Sequence, residues 1–168
     1  MELDPVDRIT VGAVGEPGER TFYLQARRGT DLVTIVVEKQ QVQLLSATVV
    51  DMLSRLGTDV EVEVGEHEME LEQPLVPEWR AARIAVGYAE ERDLFMLEAE
   101  ELEEEDEEAE LGGQARFWAT REQMLALARH GIAVAAAGRP TCEFCGNPMD
   151  PEGHVCPAMN GQGRLGEA

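Results

Sequence analysis

The chain has 168 residues, which suffice for one domain with a hydrophobic core, and its formal net charge is −20. Most of the negative charge lies in two stretches: residues 59–78 carry eight acidic residues and residues 98–110 carry ten, without a lysine or arginine in either. Because nucleic-acid-binding proteins usually present a basic face, we expect no nucleic acid partner. The acidic stretches are typical of solvated segments that keep a protein soluble.

The chain contains no apolar run long enough to span a bilayer, so we expect no membrane partner. The first residues, Met1–Asp4, lack the basic and apolar regions of a signal peptide. All three cysteines lie between Cys142 and Cys156, and their odd number fits a reducing compartment or a metal site better than a disulfide framework. We therefore expect a cytoplasmic protein.

The first third of the chain predicts three strands followed by a helix. Alternating β-branched and small or polar residues indicate strands over Arg8–Val14 and Arg20–Arg27. The apolar run Leu32–Val37 is typical of a buried strand, and we expect the three strands to be antiparallel neighbours. Glu38–Leu56 then carries apolar residues at helical spacing, and Gly57 stands where a helix commonly ends.

The same order of elements returns later in the chain. Three segments have the apolar pattern of strands, namely Trp79–Tyr88, Leu94–Glu101 and Gln114–Ala119. The sequence Thr120-Arg121-Glu122-Gln123 predicts a capping box at the start of a helix over Arg121–Ala137. Residues 58–78, between the two halves, are acidic and predict a hairpin or a loose linker. The acidic insertion at residues 102–113 predicts a disordered excursion.

The two halves also match along their sequences. Three pairs of segments correspond, namely Arg8–Gly12 with Arg83–Gly87, Phe22–Ala26 with Phe95–Ala99, and Ile35–Val42 with Phe117–Met124. Such an internal repeat would fix how many units share the core, although β-rich segments of similar composition also look alike by accident.

From these patterns we predict an α+β domain over residues 1–138. Two pseudo-repeated βββα units, about residues 8–57 and 79–138, are expected to form an antiparallel sheet covered by two helices. Residues 139–168 are expected to form a zinc knuckle and a tail.

The knuckle prediction rests on four residues with metal-ligand chemistry. Cys142 and Cys145 are separated by two residues, and Gly146 permits the sharp turn that places both sulfurs on one ion. His154 and Cys156 complete the four ligands that a tetrahedral structural Zn²⁺ site needs. A closed Cys3His site leaves no position for a catalytic water, so we expect a structural ion. The alternatives are a thiol redox pair and an iron centre, both of which leave His154 and Cys156 unexplained.

A second candidate site involves the loop between the first two strands. Its glycine spacing is that of a phosphate cradle, but the loop leads into a strand rather than a helix, which favours a tight hairpin connection. Arg20 with Glu16 and Glu19 could form a polar ligand-binding lip on this loop, and the candidate ligand-binding residues of the loop are Gly15, Glu16, Gly18 and Arg20. A surface ion pair is the alternative. Lys39 and Arg121 occupy matching positions in the first turn of each helix, so a groove between the two units is where we expect a ligand.

The remaining histidines do not indicate catalysis. His130 stands late in the second helix, where a positive charge favours the helix C-terminus, and His67 lies in the acidic linker. No Ser/His/Asp arrangement can be assembled, and the acidic residues are too numerous to single out a catalytic pair.

The residues also resemble a known family. The stretch Val14–Ala26, the triplet Gly138–Pro140 and the Cys142–Cys156 cluster are similar to the actinobacterial family called domain of unknown function 3090. This resemblance spans nearly the whole chain and implies no assigned activity. It implies a gene neighbourhood with a histidine-phosphatase-like protein and a protein similar to phosphoinositide kinases. The insertion at residues 102–113 departs from the family pattern.

Two hypotheses about function follow. The first is a non-catalytic interaction or adaptor protein with a protein partner, because a closed metal site is combined with no convincing catalytic constellation. The second is an enzyme or a binder of a phosphorylated small molecule, acting at the loop Gly15–Arg20.

Overall fold

The computed structural model describes residues 1–57, 66–103, 112–138, 142–147, 149, 154–159 and 164–165. This part of the chain contains two helices, two larger sheets and a two-stranded sheet near the C-terminus, which makes the fold α+β. Neither of its α-helices is long and apolar enough to cross a membrane.

The first sheet consists of three antiparallel strands in chain order. They are β2 (Arg8–Val14), β3 (Thr21–Arg28) and β4 (Asp31–Val37). Leu24 and Ile35 are paired across β3 and β4, and both side chains are completely buried. Thr10, Gln25 and Thr34 on the other face are buried as well, so both faces of this sheet are covered.

The second sheet has four strands in the order β1-β7-β6-β5. They are β1 (Glu2–Leu3), β5 (Ala81–Ala89), β6 (Leu94–Glu101) and β7 (Gln114–Ala119). β5, β6 and β7 are antiparallel neighbours, as expected, while β1 runs parallel to β7. Phe95, Leu97 and Phe117 are completely buried and form the centre of this half of the core.

Two helices complete the core. α1 is Lys39–Arg55 and α2 is Arg121–Ala136. Their buried apolar residues join one cluster with both sheets, and they include Val42, Leu45, Val49 and Leu53 of α1 and Met124, Leu127 and Ala128 of α2. The predicted capping box is confirmed, because the Thr120 hydroxyl accepts a bond from the backbone N–H of Gln123 while the Gln123 side chain accepts one from that of Thr120.

The strands of the two sheets have corresponding registers. The matching pairs are Gly12–Tyr23 with Gly87–Met96, and Leu24–Ile35 with Leu97–Phe117. Glu38 and Thr120 are the N-cap residues of the two helices. Residues matched in this way are called equivalent below.

The expectation of a single antiparallel sheet is wrong, because the strands form two sheets and one pair is parallel. The physical reason lies in how each half begins. The N–H of Glu78 donates to the carbonyl of Thr34 at 2.8 Å and that of Val36 to the carbonyl of Trp79 at 3.0 Å, so the chain runs parallel to β4 before it enters β5. The pairing then stops, and β5 continues as the edge of the other sheet.

The first residues of the chain also form backbone hydrogen bonds with a strand of the other half. The N–H of Arg116 donates to the carbonyl of Met1 at 3.0 Å, and the N–H of Val6 donates to the carbonyl of Trp118 at 2.8 Å. The segment before β2 is therefore bonded to the last strand of the second half, as the segment before β5 is bonded to the last strand of the first half.

Residues 66–72, called the strap below, lie across the first sheet. The strap begins with a 3₁₀ helix, Glu66–Met69. The buried hydroxyl of Thr10 donates to the carbonyl of Met69 at 2.7 Å. The buried amide of Gln25 donates to the carbonyl of Glu72 at 3.0 Å and accepts from its N–H at 2.7 Å. The expectation of a hairpin or a loose linker therefore does not hold for the strap, while residues 58–65 and the side chain of His67 lie outside the described residues.

The two ends of the acidic insertion are hydrogen-bonded to each other and to the residue before β5. The N–H of Glu101 donates to the carbonyl of Gly113 at 2.8 Å, and that of Leu102 to the carbonyl of Arg80 at 2.7 Å. The predicted disorder falls mainly on residues 104–111, which lie outside the described residues.

Candidate metal centre

The first two cysteines are brought together by a tight turn. The N–H of Gly146 donates to the carbonyl of Cys142 at 2.9 Å, and the N–H of Cys142 donates to the carbonyl of Asn147 at 2.8 Å. Gly146 has a φ of 73°, a conformation that glycine adopts without the penalty other residues meet. The turn expected from the sequence between Cys142 and Gly146 is therefore present.

The other two residues of the cluster stand on and just after a short strand. β8 (His154–Val155) pairs antiparallel with β9 (Arg164–Leu165). His154 and Cys156 are two positions apart, and a strand places such residues on the same side. This spacing allows both side chains to face the turn.

The structure brings the four predicted ligands together. One ligand atom from each of Cys142, Cys145, His154 and Cys156 can be chosen so that all four lie within 4.8 Å of one another. The sulfurs of Cys142 and Cys156 are 3.8 Å apart, and the sulfur of Cys145 is 3.4 Å from Nε2 of His154. A tetrahedral ion with metal–sulfur bonds of about 2.3 Å separates its sulfurs by about 3.8 Å, so these donor atoms could bind one metal ion.

The surroundings of the sulfurs suit a cation. Cys142 is 3% exposed and Cys156 is fully buried. Burial opposes ionisation of Cys142, but hydrogen bonds from the backbone at Cys145 and Phe144 and from the neighbouring thiols outweigh it and lower the pKa of Cys142. The pKa of Cys145 is raised, because a backbone hydrogen bond at Asn147 is outweighed by burial and the two other thiols. A divalent cation would favour the ionised form of all three thiols at once.

His154 supplies a second reason to consider a metal. Its Nδ1 atom is buried and has no hydrogen-bond partner among the described residues, while Nε2 faces Cys145. A redox pair of Cys142 and Cys145 gives His154 and Cys156 no role, whereas a metal ion uses all four side chains.

The second candidate site is a hairpin loop between β2 and β3. Gly15 and Gly18 have φ values of 115° and 91°, and the N–H of Glu19 donates to the carbonyl of Glu16 at 2.9 Å. The two glycine conformations and this bond fit the tight hairpin connection expected for this loop.

Arg20 follows that loop and points to the end of α2. Its Nη1 donates to the carbonyl of Val134 at 3.0 Å, and its guanidinium lies 4.9 Å from the centre of the Phe22 ring. A Cβ placed on Gly138 would be 3.3 Å from Nη2 of Arg20 and 3.4 Å from Nζ of Lys39. Two cationic side chains therefore meet beside Gly138.

Arg121 has different surroundings. Its Nε is 2.6 Å from Oδ1 of Asp93, its Nη2 donates to the hydroxyl of Tyr88 at 2.9 Å, and its guanidinium lies over the Tyr88 ring at 5.4 Å. The pKa of Asp93 is lowered, first by the hydrogen bond from Tyr88 and then by Arg121. Lys39 and Arg121 match in sequence position, but Lys39 lies beside a cation and Arg121 beside an anion.

Two equivalent grooves lie between the two predicted units, where the sequence analysis placed a ligand groove, but they are lined by other residues than those predicted. The α2–β2 groove, of about 350 Å³, is lined by residues that include Asp7, Arg8, Ile9, Gln123 and Ala126. The α1–β5 groove, of about 490 Å³, is lined by residues that include their equivalents Ala82, Arg83, Ile84, Gln41 and Leu44. The sequence signal for both grooves was a glutamine three residues after each helix N-cap, namely Gln41 and Gln123, because each of these side chains lines one groove. Neither groove is lined by the predicted ligand-binding residues of the loop or by Lys39 and Arg121.

Comparison with known proteins places the chain in a family context. The family model described as "Protein of unknown function (DUF3090)" matches residues 1–156. The match covers both halves and reaches Cys156, the last residue of the cluster. No curated protein and no solved structure matches the chain.

Proposed function

The chain belongs to the DUF3090 family of proteins of unknown function, and we propose that it is a cytoplasmic, non-catalytic adaptor of actinobacteria whose C-terminal cluster binds a structural Zn²⁺. The observation that carries this proposal is the approach of four donor atoms, three sulfurs and an imidazole nitrogen, to within 4.8 Å of one another. Three thiolates and one imidazole form a donor set that zinc prefers in closed structural sites.

The ion would be held by Cys142, Cys145, His154 and Cys156. When bound, Zn²⁺ supplies the cross-link between the Cys142 turn and the β8–β9 hairpin. Structural zinc contributes about 10–16 kcal/mol to the folding of isolated zinc-finger peptides, which is enough to order a segment that has little apolar core of its own. With four protein donors, no position is left for a substrate, so the site favours a structural role over a catalytic one.

The interaction role is supported by the surface of the turn. Phe144 lies between the two cysteines of the turn and is 64% exposed. Aromatic side chains dominate the binding energy of many interfaces, and an exposed one on a metal-fixed turn is already ordered before it binds. We take Phe144 as the centre of the recognition surface for a protein partner.

We also propose that residues 8–57 and 79–138 are copies of one βββα unit. The corresponding strand registers support this duplication. So do two equivalent side chains: Gln41 donates to the carbonyls of Ala81 and Ala82, and Gln123 donates to those of Val6 and Asp7.

The adaptor proposal is tested by affinity capture with the zinc-loaded protein. We expect a protein partner that is recovered by the wild type, lost with Phe144→Ala and lost after zinc removal. Ile132→Ala serves as the control, because Ile132 is also an exposed apolar residue, at 52%, but lies on α2. Equal recovery by the wild type and Phe144→Ala would contradict the proposal.

A second candidate function is the binding of a phosphorylated small molecule near the Gly15–Arg20 loop. It is favoured by the convergence of Arg20 and Lys39 on Gly138, since two neighbouring cations attract a phosphate. Thermal-shift measurements with inorganic phosphate and with sugar phosphates test it. We expect a stabilising shift that Arg20→Ala and Lys39→Ala both remove, and the absence of any shift would count against this function.

A further inference from the structure

The two equivalent grooves differ in the residues that line them. The α2–β2 groove is closed on one side by the strap, whose Glu68 and Met69 belong to its lining. In the α1–β5 groove, every lining residue comes from α1 or from the strand β5 and its neighbourhood, and no strap residue takes part. A segment of the chain itself thus forms one wall of the first groove, and its equivalent lacks such a wall among the described residues.

The contacts of the strap show how a segment can be held beside such a groove. Nε of Arg8 donates to the carbonyl of Glu68 at 2.7 Å, and Nη2 of Arg8 donates to the carbonyl of Glu70. Between these two residues, the side chain of Met69 is only 6% exposed, and Ala126 at the groove floor is 8% exposed. A short acidic segment is therefore held beside this groove through its backbone carbonyls and through one buried apolar side chain.

The open groove retains the main parts of this arrangement. Arg83 is equivalent to Arg8, and it is exposed with no hydrogen-bond or ion-pair partner in the described part of the chain. It is also the one charged side chain among the residues that line the groove. Leu44, equivalent to Ala126, is 70% exposed. β5 is the edge strand of its sheet, and Gln41 covers only the carbonyls of Ala81 and Ala82 at its beginning.

We propose that the α1–β5 groove binds a short acidic segment of a partner protein that carries one methionine or leucine. Arg83 donates to the backbone carbonyls on either side of that residue, as Arg8 does in the strap. The apolar side chain covers Leu44 and Ile84, which removes exposed apolar surface from water. The segment lies across β5 beside Arg83, as the strap lies across β2 beside Arg8.

The equivalences also set limits on the partner. Thr10, which holds the carbonyl of Met69, is replaced by Ala85, and Arg27, which pairs with Glu72 at 3.1 Å, is replaced by Glu100. The partner segment is therefore held by fewer polar contacts than the strap and ends before the position of Glu72. This inference deepens the proposed adaptor role and rests on it, because it supplies a second contact for a protein partner.

The probe is a peptide with the sequence of residues 66–71, blocked at both ends, titrated into ¹⁵N-labelled zinc-loaded protein at about 0.15 M salt to screen the net charge. We expect saturable chemical-shift changes of the backbone amides in α1 and β5. Leu44→Glu and Arg83→Glu should each weaken binding by about tenfold or more, because they place an unpaired acid against the peptide. Ile132→Glu is the matched control and should leave the affinity unchanged.

Other results overturn the proposal. Absence of binding, shifts confined to β2 and α2, or an affinity unchanged by Leu44→Glu would each do so, as would a peptide with serine at the Met69 position that binds equally well. Self-association of the free protein that Leu44→Glu abolishes would assign the groove to a second copy instead. Because Phe144 lies outside the groove, loss of peptide binding leaves the capture experiment with Phe144→Ala as a separate test of the adaptor role.

Discussion

Gln41 and Gln123 make the same set of bonds in the two halves of the protein. Oε1 of Gln41 accepts from the N–H of the N-cap residue Glu38 at 2.7 Å, and Oε1 of Gln123 accepts from that of Thr120 at 2.9 Å. Each Nε2 then donates to two consecutive carbonyls of the chain entering a strand, at 3.2 and 3.4 Å for Gln41 and at 3.0 and 3.4 Å for Gln123. One side chain therefore fixes both a helix start and the position of a strand.

The first prediction concerns these glutamines. Replacement by alanine removes the cap bond and leaves one partly buried carbonyl, that of Ala81 or Val6, short of a donor, so Gln41→Ala and Gln123→Ala should each lower the free energy of unfolding by about 1–3 kcal/mol. Gln43→Ala is the control, because Gln43 is an exposed residue of the same helix α1. Urea denaturation followed by circular dichroism measures the difference, and equal midpoints for Gln41→Ala and Gln43→Ala would contradict the assignment.

The second prediction concerns the contact between the helices. A Cβ on Gly131 would lie 2.3 Å from Oγ of the buried Ser46 and 3.4 Å from side-chain atoms of Val11 and Val42. Alanine gains about 1 kcal/mol in helix propensity over glycine, but overpacking costs about 1–3 kcal/mol, so Gly131→Ala should be neutral to destabilising instead of stabilising. In a Ser46→Ala background, which lacks the hydroxyl, Gly131→Ala should raise the free energy of unfolding.

Gly87→Ala is the control for this comparison, because a Cβ on Gly87 meets no atom within 4 Å. Thermal unfolding of the single and double variants forms a double-mutant cycle. Additive effects of Gly131→Ala and Ser46→Ala would show that the two positions do not touch.

The third prediction concerns the metal. Cys156→Ser should reduce the zinc content from about one ion per chain to nearly none, because the remaining donors no longer close the tetrahedron. Phe144→Ser changes an exposed neighbour and should retain the ion. Elemental analysis of both variants checks this. Far-ultraviolet circular dichroism should change little, since α1 and α2 precede the cluster, while proteolysis of the C-terminal segment should accelerate.

The fourth prediction concerns pH. Burial lowers the pKa of His130 from its ordinary value of 6.5; nearby Arg8 adds to this shift, and a backbone hydrogen bond at Val11 opposes it. Between 6.5 and the lowered value the unfolded chain binds more protons than the folded one, so stability should fall as the pH drops through that window and level off below it.

Urea midpoints measured from pH 7.5 to pH 5 test this expectation on the wild type and His130→Gln. The urea midpoint of His130→Gln should depend less on pH than that of the wild type. The pH dependence that remains comes from the other titrating groups. A histidine titration by NMR that places the pKa of His130 above 6.5 would reverse the sign and refute the argument.

Local sequence patterns predicted much of this structure. The strands β2 to β7, both helices, the capping box at Thr120 and the proximity of Cys142, Cys145, His154 and Cys156 all follow from periodicity, cap chemistry or residue spacing within a short stretch. The physics of each is contained in neighbouring residues, so it can be read without knowledge of distant contacts.

The features that the sequence did not reveal depend on distant contacts. β1 has two residues, too few for a visible alternation, and exists because β7 offers it hydrogen bonds. The strap looked like a solvated acidic linker because it is rich in acids, of which Glu68 and Glu70 are exposed, while its backbone is held by Thr10 and Gln25, far away in the chain. The division into two sheets likewise follows from where the pairing with β4 stops.

The crossed pairing of the two leading segments has a consequence for how the protein can be divided. Residues 1–7 complete the sheet of the second half, and residues 78–80 extend that of the first, so each half lends backbone to the other. A cut within residues 58–65 would yield two fragments that are each left with an uncovered strand. Such fragments should be insoluble when produced separately and should reconstitute one another when produced together, in the manner of an obligate heterodimer.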